Sequence, residues 1–403
     1  MKKNFFLVAL CAIGITLSFT ACSDSDNDSN GTTWGDPIET SDEALDPVVA
    51  SYVNNVVIPT YADLVAKNSA LYDAVCQFVN APSDEAFETC ANAWMEAREP
   101  WETSEAFLFG PVADKGLDPN MDSWPLDQDG IVTVMNNQDY SVLDWEGDFE
   151  ELDEDNPTEH ALAIANAQSL RGFHTLEFLI FKNGEARKIE AEASDDDPAE
   201  INCTAENAAK WGAYMKAVAL RLLNDSKTLY ADWNTSYNGG DSYKTLFLAH
   251  DGRSGYQSAL NCLEQIIDGC ADIANEVGSS KIGDPYNFYI AGQTTEALYA
   301  VESWYSWHSI DDYSNNILSI RNAYYGSRDG SIDDNSLAAK ILAVNPQMHQ
   351  RVVDAINNAY NAIQQIPAPL RNNITDAKTV AAMEACADLE DFLSKTLKPY
   401  LQQ

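Results

Sequence analysis

The sequence predicts an all-α fold. Apolar residues recur every three or four positions through most of the chain, which is the spacing of an amphipathic helix. Few segments alternate with the period of two that marks a half-buried strand, and the content of β-branched residues is low. A polar break at 234–241, which contains Gly239 and Gly240, separates a predicted N-terminal helical bundle at 44–238 from a C-terminal one at 239–403.

The starts and ends of the helices can be placed from their capping residues. Ser83 and Asp84 begin a helix that the periodicity extends to about residue 109. The segment 157–159 begins another helix, and Asn183-Gly184 ends it. Further helices are predicted at 205–230, 243–277, 294–307, 311–325, 334–362 and 376–397.

The first residues indicate export. Lys2 and Lys3 precede an apolar run at 5–21 that is short for a membrane-spanning helix, and the run ends in Ala21-Cys22. This pattern resembles a bacterial lipoprotein signal, so we expect residues 1–21 to be removed and Cys22 to carry a lipid anchor to the membrane. Residues 22–43 then form a flexible acidic tether, whose start resembles the surface-export signals of Bacteroidetes lipoproteins. The expected location is the cell envelope, at the outer membrane, facing the periplasm or the surface.

The charge of the chain limits its partners. Its formal charge is −39, and removal of Lys2 and Lys3 lowers this to −41. So acidic a protein repels nucleic acid and anionic lipid surfaces, and it attracts cations. For most of the carboxylates, however, solubility outside the cell is a sufficient explanation.

The cysteines indicate an oxidising compartment. An even number of cysteines beyond the signal, in an exported chain, favours disulfide bonds, and the absence of any C-x-x-C spacing argues against a zinc ribbon. Cys76 and Cys90 flank a turn at 81–84, so we expect them to pair. Cys262 and Cys270 are eight residues apart on one predicted helix and are too distant to bond to each other.

The strongest functional motif is a polar pair in an apolar helix. His174 and Glu177 are three residues apart and therefore share one helical face, where they could bind a metal ion or share a proton. Gly172 leaves that face open one turn earlier, so that a ligand or a second helix could approach. A buried hydrogen bond between the two side chains, without a ligand, is the simpler alternative.

Two other segments place polar residues among aromatic ones. Arg98, Glu102 and Glu105 recur at helical spacing, which predicts one shared face, with a surface ion pair as the alternative. Glu302 and Ser306 are four residues apart and could line a wet pocket, or they could simply precede the start of the next helix.

A family resemblance joins these segments. The segment 172–177 resembles the Gly-x-His-x-x-Glu signature of the imelysin family, and segments 94–107 and 302–306 resemble two further blocks of that family in the same order. Segments 284–287 and 322–326 fit as well, so that the similarity spans about 45 to 395. The resemblance implies two bundle-like helical halves with the functional site in the cleft between them.

The resemblance also implies a set of site residues. His174 and Glu177 would supply part of a cation site, and Glu105 and Glu302 would face them across the cleft. Arg98 would balance the excess of carboxylate charge or bind an anionic co-ligand. Three smaller residues complete the expected site, namely Gly172, Ser303 and Ser306.

Two functions compete within the family, a metallopeptidase and an iron-linked binding protein. The His-Glu-x-x-His pattern is absent, and its inverted form would need a histidine where Phe178 stands. With five histidines and many carboxylates, the chain suits a hard or borderline cation such as iron or calcium better than a thiolate-preferring one. The resemblance implies a link to iron, so iron is the expected ion, with calcium and zinc as alternatives. We therefore expect a metal-binding lipoprotein of iron acquisition, with an iron-uptake protein as partner. A metallopeptidase that uses Glu177 as catalytic residue, and a helical surface protein that binds a protein or a glycan, remain as alternatives.

Replacement of Cys22 tests the expected anchor. The variant Cys22→Ala lacks the thiol that accepts the lipid, so the protein should move from the membrane fraction to the soluble fraction. Cell fractionation with detection of the full chain measures this change. Retention of Cys22→Ala in the membrane would show that the prediction of a lipoprotein is wrong.

Overall fold

A computed structural model describes residues 35–153, 155–193 and 201–403, and over these ranges it confirms the all-α prediction. The first nine helices are α1 Asp42–Tyr52, α2 Ile58–Asn80, α3 Asp84–Glu102, α4 Pro111–Asp114, α5 Leu117–Asp122, α6 Gln128–Asn137, α7 Glu159–Gln168, α8 Gly172–Ile180 and α9 Ala208–Asn234. The expected signal peptide and Cys22 lie outside the described residues. Within those residues, no helix is both long and apolar enough to cross a membrane.

The second half of the chain is also helical. Its helices are α10 Tyr243–Ala249, α11 Ala259–Asn275, α12 Gly283–Ile290, α13 Thr294–Tyr299, α14 Ser309–Tyr325, α15 Leu337–Val344, α16 Pro346–Gln364, α17 Ala377–Phe392 and α18 Lys398–Leu401. A two-residue antiparallel hairpin joins β1 Phe181–Lys182 to β2 Glu185–Ala186. Shorter helical turns occur at Glu105–Phe107, Tyr140–Leu143 and Leu370–Asn372.

The helices pack in two groups. In the first group α2 lies between α3 and α9, while α8 packs on both α3 and α9. In the second group α11 packs on α14 and α17, and α16 packs on α14, α15 and α17. Helix α1 precedes the first group in sequence but packs on α11 of the second.

One continuous helix runs through both groups. Residues 42–80 are helical throughout, because a π-helical turn at Val53–Val57 joins α1 to α2 without a break. Pro59 follows the π-helical turn closely and has no N–H to donate within this continuous helix. The same helix therefore contacts the second group through α1 and the first group through α2.

Several predicted helices are divided in the structure. The predicted helix at 157–184 is interrupted between α7 and α8, and it ends at Ile180 because Asn183 and Gly184 form the hairpin turn instead, both with positive φ. The predicted helix at 243–277 is interrupted by a loop with positive φ at Gly252 and Gly255. The predicted helix at 334–362 breaks before Pro346, which disfavours helical geometry in the preceding residue.

Helix α8 is held by side chains from both of its neighbours. The indole of Trp94 on α3 donates to the carbonyl of Phe173 at 2.9 Å, and the indole of Trp211 on α9 donates to the carbonyl of Leu179 at 2.8 Å. Both indoles are fully buried. Because these bonds satisfy buried polar groups, they keep α8 in a defined position between α3 and α9.

The expected disulfide between Cys76 and Cys90 is wrong. All six cysteines within the described ranges are unbonded. The side chain of Cys90 is fully buried on α3, whereas that of Cys76 is only half-buried on α2, so the two thiols lie in different environments. Burial raises the pKa of the Cys90 thiol to about 12, which leaves it unreactive.

Gly269 on α11 tests how closely the two groups are packed. A Cβ atom at this position would lie 2.3 Å from the carbonyl oxygen of Ala106. In an isolated helix Gly→Ala stabilises by about 1 kcal/mol, but here we expect overpacking to destabilise the fold by about 1–3 kcal/mol. Urea unfolding of Gly269→Ala measures whether the free energy of unfolding rises or falls. Gly240→Ala is the control, because a Cβ atom there would lie at an ordinary distance of 3.5 Å from the carbonyl oxygen of Tyr237. A Gly269→Ala variant as stable as the wild type would contradict this account of the packing.

Candidate metal centre

Arg98 lies at the centre of the site. It is fully buried on α3, and its guanidinium carbon lies 5.6 Å and 5.0 Å from the ring centroids of Trp94 and Phe173. Such aromatic faces stabilise a cation in a dry environment. A guanidinium cannot lose its proton there, so it requires carboxylate partners.

Four carboxylates from both groups of helices surround this guanidinium. The Nη1 atom donates to Asp122 at the end of α5, and the Nη2 atom donates to Glu102 at the end of α3. The same Nη2 lies 3.4 Å from Glu302 and 3.3 Å from Asp312 on α14. Both terminal nitrogens of Arg98 are therefore engaged by carboxylates of the protein.

His174 on α8 has a carboxylate at each ring nitrogen. Its Nδ1 lies 2.9 Å from Glu177, and its Nε2 lies 3.2 Å from both Asp122 and Glu302. Burial by itself would lower the pKa of the imidazole, but the nearby carboxylates outweigh burial and raise this pKa well above its usual value. The three acids therefore favour a positive charge at this position, whether a proton or a bound cation carries it.

Glu177 is fully occupied by hydrogen bonds. Its Oε2 faces the Nδ1 atom of His174, and its Oε1 accepts from the backbone N–H of Tyr305 at 2.9 Å and from both the N–H and the hydroxyl of Ser306 at 2.8 Å. Glu177 thus lies behind the imidazole, on the side away from Asp122 and Glu302. A carboxylate in this place orients the ring and leaves Nε2 directed at the other acids.

Gly172 allows α5 to approach α8. Its φ is +90°, and a Cβ atom there would lie 2.4 Å from the carbonyl oxygen of Met121. The next residue, Asp122, is thereby brought within reach of His174. The sequence predicted that a ligand or a second helix could approach at this glycine, and the structure places the end of α5 there.

Residues 300–308, here named the Glu302 loop, connect α13 to α14. The predicted helix at 294–307 is wrong in this part, because α13 ends at Tyr299 and Ser303 and Trp307 both have positive φ. Such backbone strain persists only where other bonds enforce it. Here Ser303 donates to Asp312, and Ser306 donates to Glu177, so both serines hold the loop in place.

Lys281 holds the carboxylate of Glu302 from the opposite side. Its ammonium nitrogen lies 3.1 Å from the Oε2 atom of Glu302, and both side chains are buried. Burial favours the neutral acid, but Lys281 and His174 outweigh it, so the pKa of Glu302 is lowered. Glu302 is therefore an anion whose other oxygen, Oε1, faces His174.

Glu105 follows α3 instead of continuing it. The shared helical face predicted for Arg98, Glu102 and Glu105 is wrong at its last residue, because α3 ends at Glu102 and the hydroxyls of Thr103 and Ser104 bond to backbone carbonyls of its last turn. Glu105 lies in the short turn Glu105–Phe107 with only 5% of its surface exposed. Burial raises the pKa of its carboxyl well above the usual value.

Two groups of ligand atoms converge at this point. Asp122, His174 and Glu302 form one group, and Glu102, Glu105 and Asp122 form the other, with the ligand atoms of each group within 4.8 Å of one another. Sequence reasoning named His174, Glu302 and Glu105 but missed Asp122 and Lys281. Helix α5, which carries Asp122, is too short for a periodic signal. Its two acids, Asp118 and Asp122, nevertheless have the four-residue spacing of one helical face.

Comparison with known proteins gives the family. The family model described as Imelysin matches residues 57–396. Iron-regulated protein A from Synechococcus elongatus is 23% identical over 400 residues, which cover 98% of this chain and 93% of that protein. The crystal structure of an iron-regulated protein A precursor from Parabacteroides distasonis is 36% identical, covers 90% of this chain and 96% of its own, and gives a TM-score of 0.78.

A more distant structure agrees on the fold. The crystal structure of an imelysin-like protein from Psychrobacter arcticum is 15% identical, covers 91% of this chain and 98% of its own, and gives a TM-score of 0.63. The family match over most of the chain and the similarity to the Parabacteroides protein agree with the Gly172, His174 and Glu177 pattern at the centre of the site. The chain belongs to the imelysin family.

Proposed function

We propose that this protein binds a divalent metal ion, with iron(II) as the favoured ion, through Asp122, His174 and Glu302, and that it serves iron acquisition. The observation that carries the proposal is the convergence of one imidazole nitrogen and two carboxylate oxygens from three distant segments of the chain. The names of two similar proteins, each called iron-regulated protein A, support the choice of iron.

The distances suit a bound ion. Nε2 of His174 lies 3.2 Å from an oxygen of Asp122 and 3.2 Å from an oxygen of Glu302. Two ligands that bind an ion at about 2.1 Å and at right angles lie about 3 Å apart. One imidazole with carboxylates is a donor set for borderline and hard divalent ions, whereas thiolate-preferring ions would need sulfur ligands.

The surroundings of His174 complete the argument for binding. Glu177 accepts from the N–H at Nδ1, so the proton that an incoming cation would displace is the one on Nε2, and Nε2 then becomes the ligand atom. The site is dry, with His174 and Glu177 fully buried, so the attraction between the carboxylates and a cation is little screened. Glu177 thus acts as a positioning residue in this proposal, while Glu302 acts as a ligand.

Binding explains this arrangement better than peptide hydrolysis does. A metallopeptidase needs a general base that is free to take a proton from a metal-bound water. Glu177 is the residue that the motif offers for that role, but both of its oxygens are already engaged by His174, Tyr305 and Ser306. These bonds hold the Glu177 carboxylate in one orientation, as a residue that positions the imidazole requires.

The proposed function includes a location in the cell envelope. A lipid anchor on Cys22 would hold the protein in the cell envelope, and the acidic residues that follow it would act as a tether. An anchored binding protein needs a second protein to take over the ion, so an iron-uptake protein is the proposed partner. The strongly negative charge would raise the local concentration of cations around the chain.

Loss of the imidazole tests the proposed site. After removal of metals with a chelator, His174→Ala should bind Fe²⁺ under anaerobic conditions at least about 100-fold more weakly than the wild type, which is about 2.7 kcal/mol. Isothermal titration measures the affinity. His160→Ala is the matched control, because His160 bonds to the backbone carbonyl of Asp148 at the surface, belongs to neither group of ligand atoms and should not affect the affinity. Equal affinity in His174→Ala and the wild type would remove His174 from the site.

Replacement of Glu177 tests its role as a positioning residue. In Glu177→Gln the amide NH₂ would face Nδ1 of His174, which favours the tautomer with the proton on Nε2 and blocks the ligand atom. We expect the affinity for metal to fall about 10–100-fold. Nitrogen-15 NMR of labelled histidine in the metal-free protein, recorded at a pH at which the His174 ring is neutral, distinguishes the two tautomers, which a purely structural role would not change. An unchanged tautomer together with unchanged affinity would contradict this role.

A further inference from the structure

A second group of potential ligands adjoins the first. Oxygen atoms of Glu102, Glu105 and Asp122 lie within 4.8 Å of one another. The two groups share one residue, Asp122, whose carboxylate accepts from Arg98 and Trp101 on α3 and lies 3.2 Å from Nε2 of His174. A carboxylate has two oxygens and about four lone pairs, so a single Asp122 can contact more than one positive group.

Glu105 provides a separate indication of a ligand. Its carboxyl is 95% buried, since 5% of the residue is exposed, and among the described residues it has no hydrogen-bond or ion-pair partner. A buried carboxyl without a partner is costly and uncommon. The neighbouring backbone keeps it there, because the N–H of Ala106 donates to Ser319 and the Ala106 carbonyl packs against Gly269.

Carboxyl groups outnumber the permanent cations of the site. Six buried carboxyl groups belong to Glu102, Glu105, Asp122, Glu177, Glu302 and Asp312. Two side chains with a permanent positive charge face them, Arg98 and Lys281. Cations that displace protons from His174 and from the buried acids would therefore meet an excess of carboxylate ligands.

We propose that the site holds two divalent cations that are bridged by the carboxylate of Asp122. The first ion is the one assigned above to Asp122, His174 and Glu302, and the inference rests on that proposed function. The second ion takes Glu102, Glu105 and the same Asp122. Ions bridged in this way lie about 3.5–4 Å apart, and an all-oxygen second site suits iron(II) or manganese(II).

The existing contacts of Glu102 are compatible with this assignment. Its Oε1 accepts from Arg98, and its Oε2 accepts from the amide of Asn316 at 2.5 Å. Each oxygen keeps a further lone pair for a cation. Because Arg98 and Asn316 fix the carboxylate from two sides, Glu102 is already oriented towards the group that contains Glu105 and Asp122.

Manganese(II) is the probe for the second ion, because it is stable in air and its electron paramagnetic resonance spectrum reports exchange coupling between close ions. Chelator-treated wild type should bind two Mn²⁺ per chain at high ionic strength, where weak binding to surface acids is screened. The spectrum should show a coupled pair. Glu105→Gln should bind one Mn²⁺ and give an uncoupled spectrum.

Two variants complete the experiment. Glu276→Gln changes a half-exposed acid near Lys281 that belongs to neither ligand group, and it should keep two coupled ions. His174→Ala should lose the first ion and the coupling. The metal-free Glu105→Gln protein should unfold at no lower temperature than the wild type, because the substitution removes an unpaired buried acid, and this excludes misfolding as the cause.

The outcomes separate the two proposals. A single ion in the wild type, weakened by His174→Ala and unaffected by Glu105→Gln, would overturn the second site and leave the proposed function intact. Two uncoupled ions that are insensitive to Glu105→Gln would also overturn it. Absence of any tightly bound ion in the wild type would overturn the proposed function and this inference together.

Discussion

The buried charge of Arg98 constrains the rest of the structure. A guanidinium that stays protonated inside the protein must meet carboxylates, and it does so with Glu102 and Asp122 from one group of helices and Glu302 and Asp312 from the other side of the site. Removal of one partner from such a buried network typically costs about 3–5 kcal/mol. The charge of Arg98 therefore constrains both how the two groups of helices pack together and where these acids lie.

Two glycines allow the backbone of a neighbouring segment to approach at positions where a Cβ atom would clash. Gly172 admits the carbonyl of Met121, and Gly269 admits the carbonyl of Ala106. In each case the residue adjacent to the admitted carbonyl is an acid of the site, Asp122 in the first and Glu105 in the second. Asp122 and Glu105 thus lie on short, irregular segments that are held in place by main-chain packing. Their carboxylates are not needed to hold these segments and remain available to pair with a positive charge.

The sequence predicts features that depend on residues close together in the chain, and it misses contacts between distant segments. His174 and Glu177 could be found because a three-residue spacing on one helix is readable without any knowledge of the fold. Asp122 could not, because α5 has six residues and its contact with His174 depends on packing at Gly172. The all-α class followed from periodicity, whereas breaks such as the one before Pro346 depend on single residues inside otherwise regular patterns.

The uninterrupted helix at 42–80 limits how the site could open. A hinge motion between the two groups of helices would have to bend this helix, and its π-helical turn and Pro59 are the places where bending costs least. Release of the Glu302 loop, whose strained backbone is held by hydrogen bonds to Glu177, would expose His174 without bending that helix. For the proposed ion, the second route would make the rate of release depend on local unfolding of a few residues.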